Sequence, residues 1–324
     1  SDWSKNNITV TDNDITAPDG SLTGAKILTT ATTTGTYLVQ SVSETTGTDK
    51  YTFSIFIKKG DTDRVALRFQ TNYPDRSDVV FVFSTASFET QSTGGSISVT
   101  SNKIVAFQDG WFRIELTIQA VSGNSTVQGY IRPRVTSGVV DATDTGTSFC
   151  YVWGGQMEES AFATSVIPTA NNQVTRTADT CNSSGSSSIF NDSEGVLFMN
   201  ISALINGEGG DRTISISDGS QSNSIQLLLH NTASRINFRV RDGGSLEVNI
   251  SDLSTNQTLD LKVACKYKSG DYSLFVNGTE KATTTSGNLP SGLNQLAFDD
   301  GAFNDFYGKA KVVAVFKEAL TDIE

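Results

Sequence analysis

The sequence predicts an all-β fold of two antiparallel β-sandwich domains in tandem, and three observations carry that expectation. Apolar residues alternate with polar ones in short runs, and Gly, Asn and Asp sit at nearly every break between runs. Only 18% of the residues are charged, while Thr and Ser are abundant and Pro is scarce, a profile of many strands joined by polar turns. At 324 residues the chain exceeds one ordinary sandwich, and each of two domains is large enough to bury a core without disulfides.

Taken in order, the first half opens its clearest strand at Tyr51, Phe53, Ile55 and Ile57, which share one face until Lys58-Lys59-Gly60-Asp61 ends the run. Val65, Leu67 and Phe69 repeat the pattern, and Val79 to Phe83 is apolar on both faces. Phe112, Ile114, Leu116 and Ile118 then alternate with Arg113, Glu115, Thr117 and Gln119. Gly94-Gly95, Asp109-Gly110 and Ser122-Gly123-Asn124 supply the turns.

From 167 to 191 the alternation lapses into a Ser-, Thr- and Asn-rich stretch, which sets the expected domains at 1–170 and 171–324. Strands resume with Val196 and Phe198, Ile214 and Ile216, and the set Ile225, Leu227 and Leu229. Ile236, Phe238 and Val240 follow, then Leu274 and Val276. Asn277-Gly278 is a hairpin signal, because both residues tolerate the positive φ of a type I′ turn.

Charge and spacing exclude several classes. Lys plus Arg number 24 against 35 Asp plus Glu, and a net charge of −11 repels the phosphates that dominate nucleic-acid affinity, so no nucleic-acid partner is expected. No apolar run approaches the ~20 residues that span a bilayer, so no membrane insertion is expected either. The three cysteines show no C-x-x-C spacing; Cys265 falls on the inward face of Leu261, Val263 and Tyr267, and Cys181 is the thiol expected to be accessible. The start at Ser1 rather than Met, and the capping-box spacing of Thr321 and Glu324, suggest a piece of something longer.

Two passages resemble known domains. The run FCYVWGGQMEESAFATSVIPT at 149–169, preceded by APDGSLTGAKIL and DGWFRIELT, resembles a jelly-roll domain of tail-fibre and other virion proteins of tailed bacteriophages, similar to carbohydrate-binding modules. KVACKYKSGDYSLFVNG and FYGKAKVVAVFKEALTDIE resemble the concanavalin A-like, laminin-G-type lectin/glucanase domain. The resemblance implies a host-attachment component of a fibre or spike, placed on the virion, trimeric, with a cell-surface glycan and other virion proteins as partners. A carbohydrate-binding region of a secreted polysaccharide-degrading enzyme, or a purely structural capsid decoration, stands as the alternative.

The residues do not suggest catalysis. Glucanases of similar fold carry an E-x-D-x-E run, and none is present; Glu158 and Glu159 are adjacent and face opposite ways on a strand. The single histidine, His230, sits at a strand end on the polar side, with no G-x-S-x-G elbow in the chain. No enzyme activity is therefore expected. No cofactor is expected beyond calcium, for which Asp299, Asp300, Asn304 and Asp305 offer oxygen ligands within one loop, a plain solvated turn being the competing reading. Asp218 and Asn223 form a lesser candidate.

Sugar binding needs a ring to stack on a pyranose and planar polar groups to bridge its hydroxyls. Along TVQGYIRPRV, Val127, Ile131 and Val135 point inward and throw Gln128, Tyr130, Arg132 and Arg134 onto the opposite face. Arg68 with Gln70, and Arg113 with Glu115, are outward on their own strands and extend that surface. Asn237, Arg239 and Arg241 beside Gln226 form the equivalent stripe in the second half. An ordinary solvated or subunit-facing sheet is the competing reading of both stripes. Trp111 and Trp153, next to glycines at strand ends, are read as core or hinge packing.

Overall fold

Alternation of this kind produces sheets with one apolar face, and such faces are stable only when paired. The computed structural model has that arrangement twice, in units Ser1–Arg176 and Thr177–Glu324. It describes residues 3–321 except 44–45, 135–137, 139, 142, 144–145, 170–171, 173, 175–180, 182–183, 208 and 302. The expected boundary at 170/171, Val135 as an inward residue, and Glu324 of the terminal capping box lie outside the described residues.

The first unit contains β1 (Ser4–Asn6), β2 (Ile8–Ile15), β3 (Gly24–Thr29), β4 (Tyr37–Ser43), β5 (Lys50–Lys59) and β6 (Arg64–Gln70). It continues with β7 (Arg76–Val82), β8 (Ser87–Gly94), β9 (Ser98–Ala106), β10 (Trp111–Gln119), β11 (Thr126–Arg134) and β12 (Phe149–Glu158). One sheet runs β1-β4-β11-β6-β7-β8 and the other β2-β3-β12-β5-β10-β9, with antiparallel neighbours. Phe53, Ile55 and Ile57 of β5 meet Leu67 and Phe69 of β6 and Val127 and Ile131 of β11 in one buried core. Phe53 and Phe69 stack with centroids 5.8 Å apart. Gly129 takes an inward position because a Cβ there would fall 2.6 Å from the Phe53 ring. Full burial of each such Phe, Ile or Leu contributes roughly 1.5–3 kcal/mol.

The second unit contains β13 (Glu194–Ala203), β14 (Arg212–Ser217), β15 (Ser224–Leu229), β16 (Ile236–Asp242) and β17 (Ser245–Asp252). It is completed by β18 (Leu261–Lys268), β19 (Tyr272–Val276), β20 (Thr279–Thr284), β21 (Gln295–Ala297) and β22 (Gly308–Phe316). Its sheets run β20-β19-β18-β13-β22 and β17-β16-β15-β14-β21. Leu197, Met199 and Ile201 face Ile225, Leu227, Phe238 and Val240 across the core. The β19–β20 hairpin turns on Asn277 and Gly278, at φ 51° and 77°, as the dipeptide predicts. Cys265 is fully buried, and burial pushes its thiol pKa up. Cys181 is half-buried against this core rather than openly accessible.

Candidate functional site

Sheets with buried inner faces leave recognition to their outer faces, and three of these carry the residues singled out from the sequence. On the β1-β4-β11-β6-β7-β8 sheet, register places Tyr130 opposite Arg68 and Arg132 opposite Ala66, so the expected stripe is one contiguous array. It is not an open one. Val140, in the segment after β11, packs on the outward Ala66 and Val80, and Asp141 beside it joins Arg68 and Arg132. Arg68 also holds Asp78 through Nε at 2.6 Å and Nη2 at 3.1 Å, and both side chains are under 10% exposed. Arg132 donates to the Val140 carbonyl at 3.2 Å, and Arg134 is 1% exposed.

The expectation that Arg68, Arg132 and Arg134 offer themselves to a glycan is corrected on this geometry: carboxylates of the protein already occupy the first two, and the third is covered. Burial opposes ionisation of Asp141, yet hydrogen bonds and charge from Arg68 and Arg132 hold its carboxyl below the usual range. Tyr130 keeps a half-exposed ring, edge-on to Tyr37 at 5.3 Å, and its hydroxyl joins Gln128 and Gln70.

The opposite sheet carries a second outer face. Phe149, Tyr151 and Trp153 alternate along β12 with the inward Cys150 and Val152, and all three rings are half-exposed. Tyr151 pairs with Lys26 of β3 on one side and Lys58 of β5 on the other. The Lys26 ammonium lies 4.0 Å from the Phe149 ring centroid, and Lys58 lies 6.0 Å from that of Trp111. Trp153 packs edge-on against Phe56 at 5.2 Å, and its indole N–H donates to Thr23 Oγ1 at 3.0 Å. Trp111 is core packing, as the sequence reading holds, but Trp153 is on the surface.

Arg113 belongs to this face and is buried. Its guanidinium sits over Phe56 and donates to Ser54 Oγ at 2.8 Å, and burial lowers its pKa, with Glu115 and Glu158 opposing. It supports the aromatic layer and presents nothing outward, a further correction. Glu158 accepts the amide and hydroxyl of Thr164, pinning the return segment after β12. The alternation of three aromatics in FCYVW is the sequence signal that marks the ladder, and sequence reasoning missed it as a site.

In the second unit, Asn237, Arg239 and Arg241 share the outer face of β16, with Arg235 just before the strand. Asn237 is buried; its amide donates to Asn249 and Ser251, both at 2.9 Å, and its oxygen accepts from Arg235 at 3.0 Å, so its bonding capacity is used within the protein. Arg239 and Arg241 are half-exposed. Residues 298–301 and 303–306 lie against β14, where Ser215 donates to the Asp299 carbonyl and Thr213 N to the Asn304 carbonyl.

That loop is not built for calcium. The Asp300 carboxylate is 2% exposed and accepts from Gln221, the Phe303 amide and the Asn304 side-chain amide, while Asp299 accepts the Gly301 amide. Donors aimed at the carboxylate hold its pKa low against burial, and they take the lone pairs a cation needs. Asp305 is exposed, and among the described residues no three His, Cys, Asp or Glu side chains converge. Asp218 is spent likewise, on Ser220 and Asn223. His230 accepts the Thr232 amide at Nδ1, which ties its ring to the turn.

Residues 201–324 match the family model of the concanavalin A-like lectin/glucanases superfamily. The match covers most of the second unit, whose paired five-stranded antiparallel sheets agree with the β-sandwich class of that superfamily. No curated protein matches the chain. Among solved structures it is similar to the Ruminococcus gnavus IT-sialidase CBM40 bound to α2,3-sialyllactose, at 17% identity and TM-score 0.35, covering 41% of this chain and 80% of that one. It is also similar to domains LG4-5 of the mouse laminin α1 chain, at 9% identity and TM-score 0.27, covering 89% of this chain and 88% of that one. At such values neither likeness bears on function.

Proposed function

We propose that this chain is a non-catalytic glycan-binding protein that attaches a larger particle to a cell surface. The observation that carries the reading is the ladder Phe149, Tyr151 and Trp153, half-exposed on one sheet face with Lys26 and Lys58 beside it. Rings held in register by one strand offer stacking platforms for successive sugars, and the amines reach hydroxyls or acidic substituents. The lectin-like fold of the second unit supports the same reading. A shallow face binds weakly, and several copies on one particle, such as a trimeric phage fibre or spike on the virion surface, supply the avidity that attachment needs.

The resemblance of the 149–169 run to virion jelly rolls favours the fibre, and a catalytic domain encoded beside this chain would move the same binding role to a polysaccharide-degrading enzyme. A glycan array comparing wild type with Tyr151→Ala and Trp153→Ala is the test. Each substitution is expected to weaken binding about tenfold or more. Equal binding by all three proteins refutes the ladder as the site.

A further inference from the structure

The β16 face of the lectin-like unit holds an anomaly of charge. Arg239 and Arg241 lie on one side of β16 with Arg235 just before it, and at ~3.3 Å per residue the row spans about 20 Å. The described ion pairs of this unit join His230 to Asp211, Lys266 to Asp271, Lys268 to Glu194, Lys281 to Asp252 and Lys311 to Asp260, and none includes these arginines. The chain is acidic, with 35 Asp and Glu, so carboxylates are not scarce. The two whose charge reaches Arg239 are engaged elsewhere: Asp211 accepts the Asn231 amide, and Asp300 is saturated inside its loop.

Arg235 is held by Asn237 Oδ1 at 3.0 Å, but what the other two touch is weak. Arg239 Nε reaches Asn249 Oδ1 at 3.4 Å and Arg241 Nη1 reaches the Gly244 carbonyl at 3.4 Å, while Arg241 Nε is buried with no hydrogen-bond partner. Burial lowers the Arg239 pKa, and its neighbours Arg241 and Arg235 lower it further. Like charges aligned on a strand cost folding stability unless something external compensates them. Guanidinium forks match planar or tetrahedral oxyanions in pairs of hydrogen bonds.

We propose that the β16 face binds an acidic polysaccharide, whose carboxylate or sulfate groups seat on Arg239 and Arg241 with Arg235 extending the row. Exposed Asn249 and half-exposed Ser251 on β17 stand beside it to meet sugar hydroxyls. The polar neighbours on β17 and the lectin-like fold of this unit favour a saccharide over a nucleic acid. The site lies in a different unit from the aromatic ladder and does not depend on it.

The test uses the full chain at low salt with four probes: dextran sulfate, polygalacturonate, neutral dextran and a 20-nucleotide oligothymidylate. Wild type is expected to bind one or both acidic polysaccharides and not dextran, and retention of only one of them names the anion. The Arg239→Gln/Arg241→Gln variant is expected to lose about a hundredfold in affinity, one charge-assisted contact per arginine. Lys311→Gln, which removes a cation from β22 of the other sheet, is expected to leave this binding intact. Asn249→Asp places a carboxylate against Arg239 and is expected to weaken binding several-fold, which keeps the test decisive should the double variant misfold. Equal binding of the oligothymidylate, unchanged binding by both the double variant and Asn249→Asp, or no binding of either acidic polymer overturns the proposal.

Discussion

Arginines stand on the outer faces of two sheets in this chain, and their circumstances differ. In the first unit Arg68 and Arg132 are buried beneath a returning segment that brings Asp141, with Asp78 supplied by β7. In the second, Arg239 and Arg241 are half-exposed, with no described carboxylate in ion-pair range. The same residue type at the same outward position is thus a structural cross-link in one place and a weakly bonded donor array in the other. Outwardness on a strand is a statement about the core and says nothing of what covers the other side.

The comparison makes graded predictions. Asp78→Ala strips a buried partner from Arg68 and is expected to cost about 3–5 kcal/mol in urea unfolding, because the guanidinium is left buried without its fork. Asp141→Asn is expected to cost less, about 1–2 kcal/mol, since that carboxylate is half-exposed and Asp78 remains. A loss under 0.5 kcal/mol in both would erase the distinction between the two faces.

Acid is expected to act by the same logic. The carboxyls of Asp141 and Asp300 titrate below their ordinary 3.8 in the folded protein, so their stabilisation is full above that value and is lost as pH falls through the lowered range. His230 titrates below its ordinary 6.5, first because of burial and with Arg235 and Arg239 adding to it, so a destabilisation sets in as pH falls below 6.5. From pH 8 to pH 3 unfolding midpoints are expected to fall first with His230 and then with the carboxyls, and His230→Gln removes the earlier step.

The smallest effect is expected in the second unit. Arg239→Gln/Arg241→Gln should change stability by no more than about 0.5 kcal/mol, or raise it by relieving like-charge repulsion. Asn249→Asp should stabilise by under about 1 kcal/mol as a surface pair. A loss of several kcal/mol in the double variant would mean that these arginines are structural too.

Much of the fold is legible in the residues. Val127 and Ile131 inward, Gln128, Tyr130 and Arg132 outward, and the turn at Asn277-Gly278 all follow from side-chain alternation and backbone sterics, which are local. The site is less so. The alternation that places Trp153 outward was available in FCYVW, but adjoining glycines suggested packing. The burial of Asn237 and the closure of Asp300 were not available, because their partners Ser251 and Gln221 arrive from other strands and turns.

By itself the sequence determined which side chains leave the core along regular stretches of strand, since a period of two along an extended backbone fixes the face of each residue between bulges. Only the tertiary structure decided which of those outward side chains meet solvent. That depends on where segments distant in the chain, the one carrying Val140 and Asp141 and the loop 298–306, come to rest. Their paths are set by packing and hydrogen bonds between residues far apart in sequence, which local patterning does not encode.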